Sequence, residues 1–481
     1  MTEWTHVNDH FIDGEWRPSV GTDRITVVNP ATGEAWGSVP VAAPEDLEAA
    51  MAAARRAFDA GPWPRMTPTA RAEALRRFAD EVEARAEGLS LTNTRENGSP
   101  VAETAGAAAN AAGILRYFAS LAPHLEAEDV RPFPNGAGES VVRRDPVGVC
   151  ALIAPWNFPI NLVVIKLAPA LLAGNCVVIK PASPTPLSIR HIVEAAHAAG
   201  IPAGVINLVT GNGRTGDAMV RHPAVDKVAF TGSTEVGRKI AAACGELLRP
   251  VTLELGGKSA AILLEDVDLE AFSRVFVRSC MRNSGQTCYI STRILAPRSR
   301  YDEIVETITR VVADAPQGDP LDPATVFGPV AHRGQYESVL EHLASARAEG
   351  ARFTTGGDPL PGPGLFIAPT VLADVTPEMR VAREEIFGPV VTIQPYDTVD
   401  EAVEIANSTP FGLGGIVFSA DEERAFAIAE RVDSGSVGVN FFASNHAAPF
   451  GGRHDSGLGV EYGVEGLEQY VSFKSIHRRA R

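Results

Sequence analysis

A chain of 481 residues with 45% hydrophobic and 21% charged residues has room for two or three lobes with large cores, and its composition is that of a globular protein. Its formal net charge of −16 excludes nucleic acid as a partner, because a phosphate backbone needs a basic surface. The five cysteines, Cys150, Cys176, Cys244, Cys280 and Cys288, are odd in number and form no CxxC pair, which argues against a disulfide framework or metal site and for a reducing, cytoplasmic compartment.

Residues 1–6 lack a basic region followed by an apolar core, so no signal peptide is expected. Up to about residue 45 the chain reads as short strands and turns, with a hairpin-like turn at Asp13-Gly14. Apolar residues at helical spacing predict helices over 45–60 and 68–88, and the Ala-rich run 101–121 predicts one long helix. The charged segment 139–145 predicts an exposed strand, which either pairs across an interface or forms a surface hairpin. Twenty uncharged residues from Pro146 to Ile165 reach membrane-span length. Pro155, Pro159, Asn157 and Asn161 would be costly in lipid, so a strand, a loop and a helix are expected there and no membrane span.

From residue 147 apolar strands (147–154, 176–180, 205–209, 225–231, 251–255) alternate with helices (162–172, 187–199, 214–221, 236–244). That rhythm predicts a doubly wound parallel sheet, which binds ligands at the carboxyl ends of its strands. After Gly256-Gly257 the pattern restarts with a strand at 260–264 and a helix at 269–283, so a second α/β lobe runs to about residue 440. The tail from Gly466 predicts one more strand.

Two stretches carry chemistry. Cys288 lies in the polar segment Asn283-Ser284-Gly285-Gln286-Thr287-Cys288-Tyr289, and Glu254 ends an apolar run at Glu254-Leu255-Gly256-Gly257-Lys258. A thiol and a buried carboxylate suit covalent catalysis, one attacking and the other activating water. No histidine is placed to activate Cys288, which points to local dipoles and Glu254 instead. The rigid loop Pro155-Trp156-Asn157-Phe158-Pro159 offers the Asn157 amide to an oxyanion. Gly211-Asn212-Gly213-Arg214-Thr215-Gly216 fits GxGxxG, but no acid follows a strand at the required distance. Phe230-Thr231-Gly232-Ser233 also joins a strand to a helix, with Ser233 at a helix N-terminus where phosphate is favoured.

These motifs, with Glu384-Glu385-Ile386-Phe387-Gly388-Pro389 and Pro449-Phe450-Gly451-Gly452, resemble the aldehyde dehydrogenase family over essentially the whole chain. The resemblance implies an α/β fold in three parts. These are a Rossmann-like cofactor lobe (1–120 and 145–255), a second α/β catalytic lobe (256–445) and a small β bridging element (121–144 and 466–481). Members associate through the last into homodimers or homotetramers. It implies Cys288 as nucleophile, Glu254 as general base, Asn157 at the oxyanion, and Lys166 with Glu461 in proton relay. It implies an NAD or NADP site with Trp156, Lys180, Ser183, Gly232, Ser233, Gly256, Glu385 and Phe387, of which Ser233 rather than the earlier glycines meets pyrophosphate. Ser183 stands where many NAD-using members carry a glutamate, which leaves room for a 2′-phosphate. Val460 stands where many carry an arginine.

The implied reaction oxidises a small-molecule aldehyde to a carboxylic acid through a thiohemiacetal and thioester on Cys288, with hydride passing to NAD(P). Retention of Glu254 weighs against a CoA-acylating relative. An esterase or thioesterase would need no nucleotide, and a non-catalytic homologue would be expected to lack Cys288 or Glu254. The expected tunnel wall, Phe158, Asn161, Leu162, Ile165, Thr287, Tyr289, Phe442 and Phe450, is mainly apolar. No arginine is evident in it, so medium-chain or aromatic aldehydes are expected rather than semialdehyde acids.

Overall fold

In a computed structural model, which describes residues 6–479, the strands after residue 147 assemble into one twisted sheet. Its order is Glu15–Pro18, Asp9–Ile12, Ile206–Leu208, Cys176–Lys180, Val149–Ile153, Lys227–Thr231, Val251–Glu254 and Gly457–Leu458. The five middle strands are parallel, and an antiparallel strand closes each side of them. Their Val-, Ile- and Ala-rich sequences are buried along their whole length, as strands covered by helices on both faces must be. From Val149–Ile153 the chain builds outward on one side, then crosses back to place Lys227–Thr231 on the other. The crevice at that reversal, outside the carboxyl ends, is where such sheets take ligands.

The second sheet runs Arg352–Thr355, Thr370–Ala373, Val390–Tyr396, Arg293–Pro297, Ala260–Leu263, Gly415–Phe418 and Gly438–Val439, parallel except for its first strand. A third, antiparallel sheet holds Val471–Arg479, Gly138–Pro146 and Asp129–Pro132. The charged segment 139–145 is therefore neither a lone edge nor a plain hairpin. It is the central strand of three, and the tail of the chain is its second neighbour. Residues 1–5, 480 and 481, at the outer limits of the first lobe and of the bridging segment, lie outside the described residues, as does most of the hexapeptide read for a signal sequence.

Two expectations are corrected. The run 101–121 is two helices, Val101–Thr104 and Ala107–Ser120, not one. Thr104 is pinned by hydroxyl bonds to Ser90 (2.9 Å) and Thr94 (2.7 Å), and the chain bends at Gly106 before the Ala-rich helix starts. The helix expected over 269–283 ends at Phe276 and widens into a π-turn, Val277–Met281, of the kind found at functional sites. Residues 446–465, which the domain reading left unassigned, bring the chain back to the first sheet, where Gly457–Leu458 pairs with Val251–Glu254. The uncharged stretch 146–165 is a strand, a loop and the start of the helix Pro159–Ala173. Among the described residues no helix is long and apolar enough to cross a membrane.

Candidate active site

Glu254 is the last residue of its strand, level with Thr231 on one side and Gly457 on the other. Its carboxylate is buried, and neither oxygen accepts an N–H or O–H hydrogen bond. Burial, then the nearby Glu461 charge, push its pKa up to about 8 against the pull of Lys166. The thiol of Cys288 lies beside it.

Cys288 arrives there through a contorted approach. After the π-turn, Asn283 and Ser284 both adopt left-handed backbone (φ 53° and 54°), followed by Gly285 at 75°. Two non-glycine residues in that region each carry strain of roughly 1 kcal/mol. A Cβ at Gly285 would collide with the Gly388 carbonyl, so glycine is needed where this loop crosses Glu385-Ile386-Phe387-Gly388. Buried side chains hold the loop in place. Ser99 Oγ donates to Asn283 Oδ1 (2.6 Å), Gln286 Nε2 donates to the Asn283 carbonyl (3.1 Å), and Gln286 Oε1 accepts from Ala331 N–H (2.9 Å).

The thiol of Cys288 remains partly accessible from the cavity, yet burial raises its pKa well above the usual thiol range, and the Glu254 and Glu385 charges raise it further. Charged Glu254 therefore does not lower the thiol pKa, as local activation of Cys288 would require. It can still take the thiol proton, which leaves one negative charge in the pair before and after transfer.

Asn157 is buried at the switch of strand order. Its Nδ2 donates to the Gln286 carbonyl (3.0 Å), which leaves its second N–H without an acceptor. Its own backbone carbonyl accepts from Asn97 Nδ2 (3.3 Å) and Asn283 Nδ2 (3.2 Å). Behind Glu254, the Lys166 ammonium is bonded to Glu461 (2.6 Å) and to the Thr231 hydroxyl. Cys288, Glu254, Asn157 and Glu461 line one cavity of about 290 Å³, with Phe158, Leu162, Thr287, Tyr289, Phe442 and Phe450 in its wall. Tyr289 stacks on Phe442 at 4.9 Å, and Phe450 meets Tyr289 edge-on. The wall is more polar than its expected members imply. Arg278 and Arg282 both line it, and Arg282 pairs with Glu103 (2.8 Å) and the Tyr289 hydroxyl (2.7 Å).

The residues expected at the cofactor lie at the carboxyl ends of the first sheet's strands and on the segment 385–388 beside Cys288. Buried Lys180, at the end of its strand, donates among the described residues only to the Pro181 carbonyl (3.0 Å), and burial lowers its pKa to about 8. The Ser183 hydroxyl donates to the Gly211 carbonyl (3.1 Å). Ser233 caps the helix Thr234–Glu246, following Gly232. The earlier glycine run opens a helix whose N-terminus is satisfied by the Asn212 side chain, which accepts from Arg214 and Thr215 N–H. Glu385 Oε1 accepts from Gly257 N–H (3.0 Å), and a Cβ on Gly256 would fill the space against its other oxygen. Burial pushes the Glu385 pKa up to about 7. Trp156 meets Phe387 edge-to-face at 5.3 Å.

The sequence reading did not single out Asn97, Asn283 and Gln286, which hold Asn157 and the Cys288 loop, nor Ser456. Ser456 Oγ donates to the Gly256 carbonyl (2.7 Å) and accepts from Gly412 N–H (3.0 Å), joining the two lobes at the cleft floor. Asn283 and Gln286 sit within the quoted motif, and their amide side chains in a buried loop were the available signal.

Residues 16–476 match the aldehyde dehydrogenase family. The chain is 48% identical to geranial dehydrogenase of Castellaniella defragrans, over 97% of this chain and 98% of that one. It superposes on a Mycobacterium tuberculosis aldehyde dehydrogenase complexed with NAD+ at a TM-score of 0.95 and 43% identity, covering 98% of this chain and 97% of the other. A Pseudomonas syringae aldehyde dehydrogenase mutant complexed with NAD+ and octanal gives 0.93 and 38%, with 98% and 96% covered. The chain belongs to the aldehyde dehydrogenase family, as an NAD(P)-dependent enzyme that oxidises an aldehyde to a carboxylic acid.

Proposed function

We propose that Cys288 is the nucleophile and Glu254 the general base of this oxidation. The observation that carries the assignment is a thiol beside an unengaged carboxylate in one enclosed cavity. Cys288 gives its proton to Glu254, whose proton affinity burial has raised. The thiolate attacks the aldehyde carbon, a C–S bond forms, and the carbonyl π pair moves onto oxygen. The free Asn157 N–H and the Cys288 backbone N–H hold that oxyanion. NAD(P), when bound, supplies the hydride acceptor that turns the thiohemiacetal into a thioester. The Lys166–Glu461 pair behind Glu254 first carries away the proton taken from Cys288, which leaves Glu254 ionised again. Glu254 then takes a proton from water, the hydroxide adds to the thioester carbon, the C–S bond breaks with its electron pair leaving on the Cys288 sulfur, and the carboxylic acid departs.

Lys180 and Ser183 would hold the adenosine ribose, Gly232 and Ser233 the pyrophosphate, and Gly256 and Glu385 the nicotinamide ribose, with Trp156 and Phe387 beside the ring. Ser183 has no charge to repel a 2′-phosphate, so NADP is admitted beside NAD. The aromatic box of Phe158, Tyr289, Phe442 and Phe450 supports an aldehyde with an apolar stem, as do the geranial dehydrogenase relative and the neighbour holding octanal.

We infer further that the chain forms a homodimer or homotetramer through its three-stranded sheet. The outer strand Val471–Arg479 supports this, with an open edge, Phe473 58% exposed and Ile476 45% exposed. A cytoplasmic setting is supported by five unpaired cysteines.

The test is steady-state nicotinamide reduction with a panel of aldehydes, run separately with NAD and NADP. Reduction without CoA that Cys288→Ala abolishes is expected. Ester hydrolysis that needs Cys288, with no reduction by any aldehyde, would overturn the dehydrogenase assignment in favour of a hydrolase.

A further inference from the structure

Three helices of the first lobe each turn one carboxamide into the reaction cavity: Asn93 from Ala86–Asn97, Asn110 from Ala107–Ser120 and Asn161 from Pro159–Ala173. None of the three side chains has a hydrogen-bond partner among the described residues, and Oδ1 of both Asn93 and Asn161 is shut off from solvent as well. Buried polar groups in folded proteins are almost always paired. Asn97, Asn175 and Asn207 of the same lobe each make hydrogen bonds through the side chain. Three idle carboxamides in the wall of one cavity stand out against that pattern, and they face an aromatic wall formed by Tyr289, Phe442 and Phe450.

We propose that the substrate is an aldehyde whose apolar stem bears a hydroxyl group, which the Asn93–Asn110–Asn161 wall receives. This rests on the aldehyde-oxidising assignment of the same cavity and specifies what it accepts. A hydroxyl both donates and accepts, so it pairs with either end of a carboxamide whichever way the amide is turned. The charges around the cavity select against the alternatives. Arg282 is paired with Glu103 and Glu461 with Lys166, while Arg278 has no ion-pair partner among the described residues. A substrate ammonium against the carboxamides would lose hydration to neutral partners, since Glu103 and Glu461 already hold cations. A substrate carboxylate buried against the carboxamides would lose hydration to neutral partners alone, because Arg278 is exposed in the outer groove rather than deep in the cavity. A bare alkyl chain would cover the carboxamides and leave them unpaired.

The experiment compares straight-chain alkanals of about four to ten carbons with their terminal hydroxy and carboxy counterparts on the full-length enzyme, with kcat and KM measured separately. At the best chain length the hydroxyaldehyde is expected to exceed the alkanal about tenfold in kcat/KM, the worth of one or two neutral hydrogen bonds, mostly through KM. In Asn161→Leu and Asn110→Leu that ratio is expected to fall toward one, and Asn161→Gln is expected to restore part of it. The ratio is internal to each variant, so partial loss of folded enzyme does not disguise it. Equal or better use of alkanals at every length would overturn the hydroxyl proposal while leaving the dehydrogenase assignment intact. A preference for the carboxy series that Arg278→Ala removes would overturn it in favour of an anionic substrate. No oxidation of any of the three series, where Cys288-dependent ester hydrolysis persists, would overturn the underlying assignment itself.

Discussion

Glu96 and Glu254 are both fully enclosed carboxylates of the first lobe, at 0% and 2% exposure, and they differ in what surrounds them. Glu96 lies against the start of the helix Ser188–Ala198, where its two oxygens accept from Leu187 N–H (2.7 Å) and Ser188 N–H (3.0 Å). Glu254, at the cavity, accepts from no N–H or O–H among the described residues and has only the Cys288 thiol beside it. Burial raises both pKa values. Hydrogen bonds hold Glu96 at about 7, while Glu254, also pushed by Glu461, reaches about 8. One region uses a buried acid to satisfy backbone donors, and the other keeps an acid unsatisfied so that it can take and return a proton. For these two acids the absence of backbone donors, not burial alone, separates the one kept for chemistry from the one kept for structure.

The most severe way to break the contrast is to remove the nucleophile. Cys288→Ala is expected to lower kcat by at least about 10⁴-fold, with the thermal midpoint unchanged within about 2 °C, since a partly accessible thiol contributes little to packing. Rate and melting curves on the same sample check it. A midpoint falling together with the rate would make Cys288 a structural residue.

Glu254→Gln comes next. A general base contributes roughly 10²–10⁴-fold, so kcat is expected to fall by about that range, and acyl-enzyme should build up in a single-turnover trace. In the wild type, kcat is expected to rise through the region of pH 8, where Glu254 loses its proton, and that limb should vanish in the variant. Stability should move the other way. Glu254 ionises near 4.5 when unfolded and near 8 when folded, so between those values the native state holds a proton that the unfolded chain has lost. The wild type is therefore destabilised as pH rises from about 4.5 to 8. The glutamine variant escapes this, and should melt a few degrees higher than the wild type at pH 9 and nearly level with it at pH 4.5.

Lys166 sharpens the comparison from the satisfied side. Its ammonium is paired with Glu461 at 2.6 Å and shielded from solvent. Lys166→Met leaves a buried carboxylate uncompensated, at a cost of about 3–5 kcal/mol. The double variant Lys166→Met/Glu461→Gln should recover much of that loss in a denaturation series without recovering the rate. Recovery of both together would remove the pair from the proton path.

How much of this could be read from the chain depended on whether the information was local. Strand–helix alternation gave the doubly wound parallel sheet, because each parallel strand is a short run of Val, Ile and Ala buried on both faces, while the strand order appears only in the fold. Trp156, Asn157, Glu254, Cys288, Glu385 and Phe387 sit in short contiguous motifs at strand or helix ends, and the fold brings Asn157, Glu254 and Cys288 into one cavity, Trp156 against Phe387 and Glu385 onto Gly257. The polar wall was not legible. Asn93, Asn110 and Asn161 come from three helices and share no spacing, and Arg278 and Arg282 fall within the span expected as one helix, 269–283, which the structure ends at Phe276. The expectation of an arginine-free, mainly apolar tunnel failed for that reason. The return of Gly457–Leu458 to the first sheet was hidden as well, since a two-residue strand carries no periodicity.

The smallest expected effect tests whether Glu96 belongs to the other class of buried acid. Glu96→Ala strips two backbone donors of their acceptor at the start of Ser188–Ala198, and losing a helix cap costs about 1–2 kcal/mol. Because Glu96 titrates near 4.5 unfolded and about 7 folded, the wild type loses part of this group's contribution as pH rises across that window. The penalty of the alanine variant should therefore be larger at pH 5 than at pH 8.5. Its kcat should stay within about twofold of wild type, since Glu96 is bonded to the backbone of that helix and not to the cavity. A large fall in kcat with an unchanged melting temperature would show that an acid with every oxygen satisfied can still govern the reaction. The division between paired structural acids and unpaired catalytic ones would then have to be abandoned for this fold.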